Sequence, residues 1–412
     1  MRKKNYKSFI RRNSIGIEEQ RSSQKVMQKG ILSDYLASNK EKFNGGYNVL
    51  KFERRIKNFF KVKHAFTFNS WTSGLVASIG AIDLEAGDEV ITSTFTMSAT
   101  VFAIIQWQGV PVFADIDKKT FCLDPKDVEK KITKKTKAIL LVDINGHPSD
   151  IDPFLKLSKK YKVKIIVDAA QSIGAKYLKK NKFAGTLGDI GGFSLNVHKH
   201  INTGEGGIVV TNNNDLANKI SLLRNHGENI VHNLPKYQHM YGYNFRMGEI
   251  EAAIGIEQLK KFPKILKDIQ RLSILLTNGL KKLKGLRVPE VNKNFSHSFY
   301  VYPMVVDLKK IKCDRKTLIS YLNKEGVPIG PGYQNIHRLP FFQKKIKKGI
   351  SKHYWSKINI NQNYKKGICP VAEELHDKTY LGFPICHYKF TKKDIIDITK
   401  SFEKIWQKLS IY

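Results

Sequence analysis

Three short stretches of the sequence carry residue types that could act together on one ligand. Asp168 closes the apolar run Lys164–Asp168, which places a carboxylate at the C-terminal edge of a parallel sheet, where open α/β folds bind ligands. Lys199 lies in a turn that ends at Gly204–Gly207, and a lysine held against sheet backbone loses hydration, which lowers its pKa and favours covalent catalysis. Asn69–Leu75 places hydroxyl groups at a helix start, where free N–H groups bind phosphate.

Each stretch alone also has a purely structural explanation. Asp168 could cap the turn that follows it, and Lys199 could be one of the chain's 71 basic residues. Ser70, Thr72 or Ser73 could each be an ordinary N-cap. Together, however, the three stretches supply what a pyridoxal 5'-phosphate (PLP) enzyme needs: a lysine for the Schiff base, an acid for the pyridinium nitrogen and a phosphate anchor.

The elements that would position these residues alternate between His64 and Thr211. Short β-rich runs are predicted as strands at Ala65–Asn69, Glu89–Thr92, Pro111–Asp115, Lys137–Asp143, Lys164–Asp168, Asp189–Leu195 and Gly207–Thr211. Longer amphipathic runs are predicted as helices at Thr72–Leu84, Ala99–Gly109, Asp124–Thr133 and Ile151–Tyr161. This alternation predicts an α/β fold with a mainly parallel sheet and helices on both faces.

The pattern changes in the C-terminal part of the chain, which predicts a second, smaller domain. Its predicted elements are two helices, Glu249–Lys260 and Pro263–Leu283, separated at Phe262-Pro263, then a strand at Ser298–Asp307 and a last helix at Thr391–Leu409. Proline fits the first turn of a helix, which is the reason for the separation. We expect a basic N-terminal segment (1–29), a large domain (30–262), and a linking helix with a small α+β domain (263–412).

Charge and composition exclude several classes of protein. The 412 residues include 71 Lys and Arg against 36 Asp and Glu, a formal net charge of +35. The lysines are spread along the chain and only Met1–Arg12 is a concentrated basic block, so a nucleic-acid partner is not expected. The four cysteines have no metal-ligand spacing, and no apolar run has the length of a membrane span. A cytoplasmic protein without a metal site is expected.

Many ordered blocks of the sequence resemble the DegT/DnrJ/EryC1/StrS family of PLP-dependent sugar aminotransferases. The similarity runs from about Gly30 to the C-terminus. Its blocks are Ala86–Ile91, Gly109–Asp117, Gly146–Pro148, Asp168–Ala175, Gly188-Asp189, Ser194–Gly207, Asn244–Met247, Ala252-Ala253, Gln258-Leu259 and Cys369–Glu373. The resemblance implies the aspartate aminotransferase-like (type I) fold, with PLP as the cofactor and a small C-terminal α+β domain.

The resemblance also implies roles for single residues. Lys199 falls on the lysine that bonds to PLP, Asp168 on the partner of the pyridinium nitrogen, and Gln171 on the residue beside the ring oxygen. The family's phosphate contacts fall on Thr72, Ser73 and Ser194. Asn244 matches a residue that reaches the cofactor phosphate of the neighbouring subunit, which implies a homodimer with shared active sites.

Four positions bear on the substrate pocket. Tyr333 and His337 lie where the family's small domain approaches the sugar. Trp71 stands where the family usually has glycine, so the loop bends differently or lends an indole to the pocket. Met97 stands where an aromatic ring usually stacks on the pyridine; its sulfur could contact the ring, or Phe95 or Trp71 could take over the stacking.

The resemblance implies transfer of an amino group from a donor, glutamate in most of the family, to a keto-sugar that is usually linked to a nucleotide. One branch of the family has histidine at the lysine position and removes a sugar hydroxyl instead. His198 and His200 flank Lys199, but its equal spacing from Ser194 and Gly204 favours the lysine. Deoxygenation is the enzymatic alternative, and a basic regulator or nucleic-acid binder is the non-catalytic one.

Overall fold

The computed structural model describes residues 9–228, 235–237, 240–344, 349–357 and 362–411. Its helices are α1 (Ile17–Lys29), α2 (Tyr47–Phe60), α3 (Trp71–Ala81), α4 (Ser98–Gln106), α5 (Pro125–Lys131), α6 (Ile151–Tyr161), α7 (Asn214–Arg224), α8 (Glu249–Leu280), α9 (Arg315–Lys324), α10 (Pro340–Lys344), α11 (Gly349–Lys357), α12 (Pro370–Glu374) and α13 (Lys392–Leu409). Its strands are β1 (His64–Phe68), β2 (Glu89–Ser93), β3 (Val110–Ala114), β4 (Thr136–Val142), β5 (Lys164–Asp168), β6 (Lys176–Tyr177), β7 (Lys182–Phe183), β8 (Ile190–Ser194), β9 (Gly207–Thr211), β10 (Leu286–Arg287), β11 (Tyr302–Val306) and β12 (Tyr380–Phe383).

Seven strands form the central sheet in the order β1-β9-β8-β5-β4-β2-β3. The pairs from β8 to β3 are parallel, whereas β9 runs antiparallel to both of its neighbours. Ile165 and Val167 of β5 pack with α2, α6 and α8, and the intervening Ile166 packs with α3, α4 and α7. Because side chains alternate between the faces of a strand, helices cover both faces. The predicted mainly parallel α/β fold is confirmed.

The predicted strands of this sheet match the observed ones closely, but three helices, α3, α4 and α5, end two or three residues earlier than predicted. α3 ends at Ala81 and α4 at Gln106. Shortly after each end, Asp83 and Gln108 adopt left-handed backbone conformations, with φ of +54° and +57°. A left-handed residue cannot continue a right-handed helix, so the apolar pattern beyond these points belongs to turns.

The predicted separation into two helices at Phe262-Pro263 is wrong. α8 is continuous over 32 residues and contains Pro263. An interior proline removes a backbone hydrogen bond and costs about 3 kcal/mol. Phe262 and Ile269 are completely buried on either side of it, and α8 packs along α1, α2 and α13. This packing keeps the helix continuous through the proline.

A second, antiparallel sheet has the order β10-β11-β12 and packs against α9 and α13 in a core of its own. Its central strand is shorter than the predicted Ser298–Asp307, because Phe299 has a left-handed backbone with φ of +52°. Thr391 caps α13 rather than belonging to it. The expected domain limits at residues 29/30 and 262/263 stay a prediction, and the second of them falls inside α8.

The basic block Met1–Arg12 lies partly outside the described residues. Its described end runs antiparallel to the chain at Tyr388, and the guanidinium of Arg12 donates to the carbonyls of Cys386 and Tyr388. The described end of this block is therefore packed against the chain around Tyr388, beside the small sheet. Within the described chain, none of the helices has the length and apolar character needed to cross a bilayer.

Candidate active site

Lys199 lies in the turn between β8 and β9. Its backbone N–H donates to the carbonyl of Asn196, and Gly204 supplies the left-handed residue of the turn, with φ of +84°. Nζ of the half-buried lysine lies 4.0 Å from the centre of the Tyr300 ring. Removal from water lowers the pKa of Lys199 to about 8, although the charge of nearby Asp168 opposes the shift. The amine is therefore partly uncharged near neutral pH.

The two histidines beside Lys199 have different surroundings. His200 is buried with Nε2 2.8 Å from the carbonyl oxygen of Ser298, and burial lowers its pKa to about 3. His198 is exposed, and its ring centre lies 5.3 Å from that of His387. Lys199 lies near enough to Asp168 for the two charges to interact.

Asp168 closes β5 and is 5% exposed. Its Oδ1 accepts a hydrogen bond from Nε1 of Trp71 at 2.7 Å, and its Oδ2 accepts one from Oγ1 of Thr100 at 2.7 Å. The two donors fix the plane of the carboxylate, and Oδ2 keeps a lone pair for a further donor. Trp71, which stands where the family usually has glycine, thus places its indole in the site as a hydrogen-bond donor to Asp168.

The residues of the predicted phosphate site meet at the start of α3. Ser70 caps this helix by accepting a 3.0 Å hydrogen bond from the backbone N–H of Ser73. Ser194 pairs with Gly207 across β8 and β9, and a Cβ on Gly207 would lie 2.5 Å from the backbone of Ser70. Only glycine allows this approach, which places Ser194 beside the helix start. Together with exposed Thr72, the site offers hydroxyls and free N–H groups to a phosphate.

A chain of hydrogen bonds leads from Gln171 to the small sheet. Oε1 of Gln171 accepts from the backbone N–H of Asn145 at 2.8 Å, and its Nε2 donates to the hydroxyl of Tyr333 at 2.9 Å. Burial raises the pKa of Tyr300, and Tyr333 lies close enough for the two hydroxyl groups to interact electrostatically, which raises this pKa further. The hydroxyl of Tyr380 donates to Oδ1 of Asn145 at 2.9 Å. The structure thus brings Tyr333 next to Gln171, so that both side chains can contact ligands bound at the same site.

Met97 lies at the N-cap of α4 and is 54% exposed. Phe95 is completely buried against Phe121 and Tyr380, so its ring does not replace a stacking residue at the cofactor. Trp71 uses its indole to bond Asp168. The contact of Met97 with the cofactor stays a prediction.

Asn244 has an exposed side chain near the start of α3. Its Oδ1 accepts a 2.8 Å hydrogen bond from Nε of Arg246, and its carbonyl accepts a 3.4 Å bond from Nδ2 of Asn69. Asn69 directly precedes the helix cap at Ser70. An exposed position next to the phosphate site is compatible with a role across a subunit boundary, which stays a prediction.

His337 is completely buried, unlike a typical substrate-contacting group. Its Nδ1 lies 2.6 Å from Oγ1 of Thr94, and its Nε2 lies 3.1 Å from Oε1 of Glu373. Both ring nitrogens are therefore used inside the protein. This environment does not favour the predicted contact of His337 with a substrate.

The structure also places at the site three residues that were not predicted from the sequence: Thr100, Tyr300 and Asn145. Thr100 and Tyr300 stand far from Asp168 and Lys199 in the sequence, and no spacing rule connects them. Asn145 precedes Gly146–Pro148, one of the blocks of family resemblance, and this proximity is a signal that could have drawn attention to it.

These residues fit PLP. The site combines an amine with a lowered pKa, a carboxylate held in a fixed plane, and a helix start beside hydroxyl groups. The close approach at Gly207 forms the cradle that a phosphate needs. Lys199, Asp168 and the Thr72, Ser73 and Ser194 hydroxyls are the groups that would hold the cofactor.

A mainly parallel sheet that carries this set of residues at its edge defines a PLP-dependent aminotransferase of fold type I. The chain belongs to the DegT/DnrJ/EryC1/StrS aminotransferase family, whose profile matches residues 28–398. Within this class it is a sugar aminotransferase.

Known proteins are similar to the chain over most of its length. It is 32% identical over 321 residues to GDP-perosamine synthase of Escherichia coli O157:H7, which covers 78% of this chain and 85% of that protein. It is 31% identical over 400 residues to the spore coat polysaccharide biosynthesis protein SpsC of Bacillus subtilis, with 95% of each covered. An aminotransferase structure from Psychrobacter cryohalolentis superposes with a TM-score of 0.84 at 25% identity, covering 97% of this chain and 99% of that one.

Proposed function

We propose that the protein moves an amino group from glutamate to a nucleotide-linked keto-sugar, for the synthesis of amino sugars used in polysaccharides. The names of two similar proteins, GDP-perosamine synthase and a spore coat polysaccharide biosynthesis protein, support this acceptor. Glutamate as donor rests on the family resemblance. The observation that carries the proposal is the state of the Lys199 amine. Burial lowers its pKa to about 8, and the amine lies near enough to Asp168 to interact with the charge of that carboxylate.

Lys199 is the proton-transfer residue in this proposal. PLP, when bound, supplies an electron sink that makes the hydrogen on the donor's α-carbon acidic. Nζ of Lys199 is partly uncharged near neutral pH, so it removes this proton as a general base and returns it as a general acid. Asp168, fixed by Trp71 and Thr100, keeps the proton on the ring nitrogen.

Amino transfer is favoured over removal of a sugar hydroxyl. The deoxygenating branch has histidine at the position that Lys199 occupies here. His198 is exposed and His200 is hydrogen-bonded to the Ser298 carbonyl, so neither histidine is placed as Lys199 is.

The working unit in this proposal is a cytoplasmic homodimer in which Asn244 serves the neighbouring active site. The exposed side chain of Asn244 next to the helix cap supports the shared site. The four cysteines are free thiols, and three of them are buried, which fits a reducing compartment.

The test is a reaction of the PLP-loaded enzyme with glutamate and a panel of GDP- and UDP-linked 4-keto-6-deoxy sugars. Mass spectrometry should find an aminated sugar nucleotide together with 2-oxoglutarate, and Lys199→Ala should form neither. A product that has lost a hydroxyl without gaining nitrogen would instead establish the deoxygenating reaction. Consumption of no sugar on the panel, with glutamate still converted, would refute the proposed acceptor.

A further inference from the structure

A pocket of about 410 Å³ lies beside Tyr300, between the central sheet and the small one. Asn145, Tyr333, Tyr380 and His387 are among the residues that line it. Its volume falls in the range of roughly 300–1,000 Å³ that is typical of small-molecule sites. Since the ring of Tyr300 also faces Nζ of Lys199, the pocket adjoins the lysine.

The lining of this pocket is uncharged. No lysine, arginine, aspartate or glutamate is among the described residues that form it, although the chain has a net charge of +35. Burial lowers the pKa of His387 to about 4, so this side chain is also neutral at pH 7. Buried phosphate or carboxylate groups need charged partners, which this pocket does not offer. Tyrosine rings and polar groups instead suit a neutral sugar ring, with its apolar faces and hydroxyl edges.

Asn145, which is among the residues that line this pocket, has an unsatisfied hydrogen-bond donor. It is 1% exposed and has a left-handed backbone, with φ of +59°. Its backbone is tied to Gln171 and Val301, and its Oδ1 accepts from the hydroxyl of Tyr380. Its Nδ2 has no hydrogen-bond partner among the described residues. A buried N–H group without a partner is costly, so a donor held this firmly points to a ligand acceptor.

We propose that Asn145 is a substrate-binding residue, whose Nδ2 donates a hydrogen bond to an oxygen of the acceptor's sugar ring bound in this pocket. This inference rests on the proposed function and adds to it the group that selects the sugar. Tyr380 and Gln171 are positioning residues, because they hold the side chain and the backbone of Asn145. A sugar with an oxygen at the matching carbon is preferred over one that lacks it.

The test measures binding separately from turnover. Isothermal titration calorimetry compares GDP-perosamine, the sugar nucleotide in the name of the similar synthase, with GDP alone on enzyme loaded with the aminated cofactor, pyridoxamine 5'-phosphate, which does not react with the amino group of the sugar. Asn145→Gly keeps the left-handed backbone without strain, and Asn145→Asp keeps the side-chain shape but lacks the N–H donor. Loss of one neutral hydrogen bond should raise the Kd for GDP-perosamine about three- to tenfold in both variants, with the Kd for GDP unchanged.

A matched control is Asn294→Ala. Asn294 also has a buried side-chain atom, Oδ1, without a partner among the described residues, but it does not line the pocket. Its variant should bind both ligands as the wild type does. An unchanged Kd for GDP-perosamine in both Asn145 variants, or wild-type binding no tighter than that of GDP, would overturn the inference. Conversion of glutamate to 2-oxoglutarate is followed in parallel, so a failure of the proposed function is seen separately.

Discussion

Nε1 of Trp71 lies 2.7 Å from Oδ1 of Asp168 and donates a hydrogen bond to it. Gly192 pairs with Asp168 across β5 and β8, and a Cβ on Gly192 would lie 2.0 Å from the indole ring. Because glycine has no side chain at this position, the indole of Trp71 can reach the carboxylate of Asp168. Because Trp71 also begins α3, one residue connects the acid of the site to its phosphate cradle.

Removal of this donor should slow the reaction. Hydrogen bonds to charged groups contribute about 1.5–3 kcal/mol, so Trp71→Phe should lower kcat about tenfold or more with a smaller effect on KM. The matched control is Trp107→Phe, which removes a 2.7 Å bond from another indole to the carbonyl of Val76, away from Asp168. Equal kcat values for the two variants would contradict the positioning role of Trp71.

The lowered pKa of Lys199 predicts how cofactor uptake depends on pH. Only the uncharged amine can bond to the PLP carbonyl, and this amine loses its proton near pH 8. The rate of PLP uptake by the cofactor-free protein should therefore rise about tenfold per pH unit below pH 8 and level off above it. Stopped-flow absorbance would show this profile, and a rate that is flat from pH 6.5 to 9.5 would contradict it.

The same pKa predicts the stability of the cofactor-free protein. The folded-state value of about 8 lies below the ordinary value of 10.5, so the folded protein binds this proton less readily than the unfolded chain. The buried amine therefore costs stability below pH 8, and the cost disappears as the pH rises toward 10.5. Lys199→Met should have a higher Tm than the wild type at pH 7, and the gap should shrink at pH 10. Calorimetry at both pH values measures it; a gap that widens with pH would refute the assignment.

Asn244 can be tested by subunit mixing. A dimer of one Lys199→Ala subunit and one Asn244→Ala subunit contains one intact site if Asn244 acts across the interface. Mixing the two variants should therefore restore activity. Each mixed dimer should have up to about half of the activity of a wild-type dimer, because one of its two sites is functional. Activity no higher than the average of the unmixed variants would place Asn244 in the active site of its own subunit.

Much of the fold follows from local patterns in the sequence. The strands of the central sheet are apolar runs buried on both faces, and such runs have clear limits. The interruption expected at Pro263 fails because Phe262 and Ile269 bury the helix on both sides of the proline, a tertiary effect that propensity does not contain. Likewise, the left-handed residues that end α3 and α4 are not marked by glycine.

The site was predictable in its chemistry and less so in its contacts. Asp168 stands out as an acid at the end of a strand, and Lys199 as a lysine in a turn that ends in a glycine cluster. The bond from Trp71 to Asp168 and the ring of Tyr300 over Lys199 join residues that are distant in the sequence, and only the packed sheet brings them together. Contacts of this kind depend on side-chain packing, which spacing along one chain does not encode.

The most direct test of the account is the visible absorbance spectrum of the PLP-loaded enzyme before and after addition of glutamate. The wild type should show the band of lysine-bound cofactor, which glutamate converts to the spectrum of the aminated cofactor and 2-oxoglutarate restores. Lys199→Ala should still bind PLP, but glutamate should convert the bound cofactor much more slowly than in the wild type. Near-normal conversion by Lys199→Ala, or a wild-type band that glutamate leaves unchanged, would contradict the account.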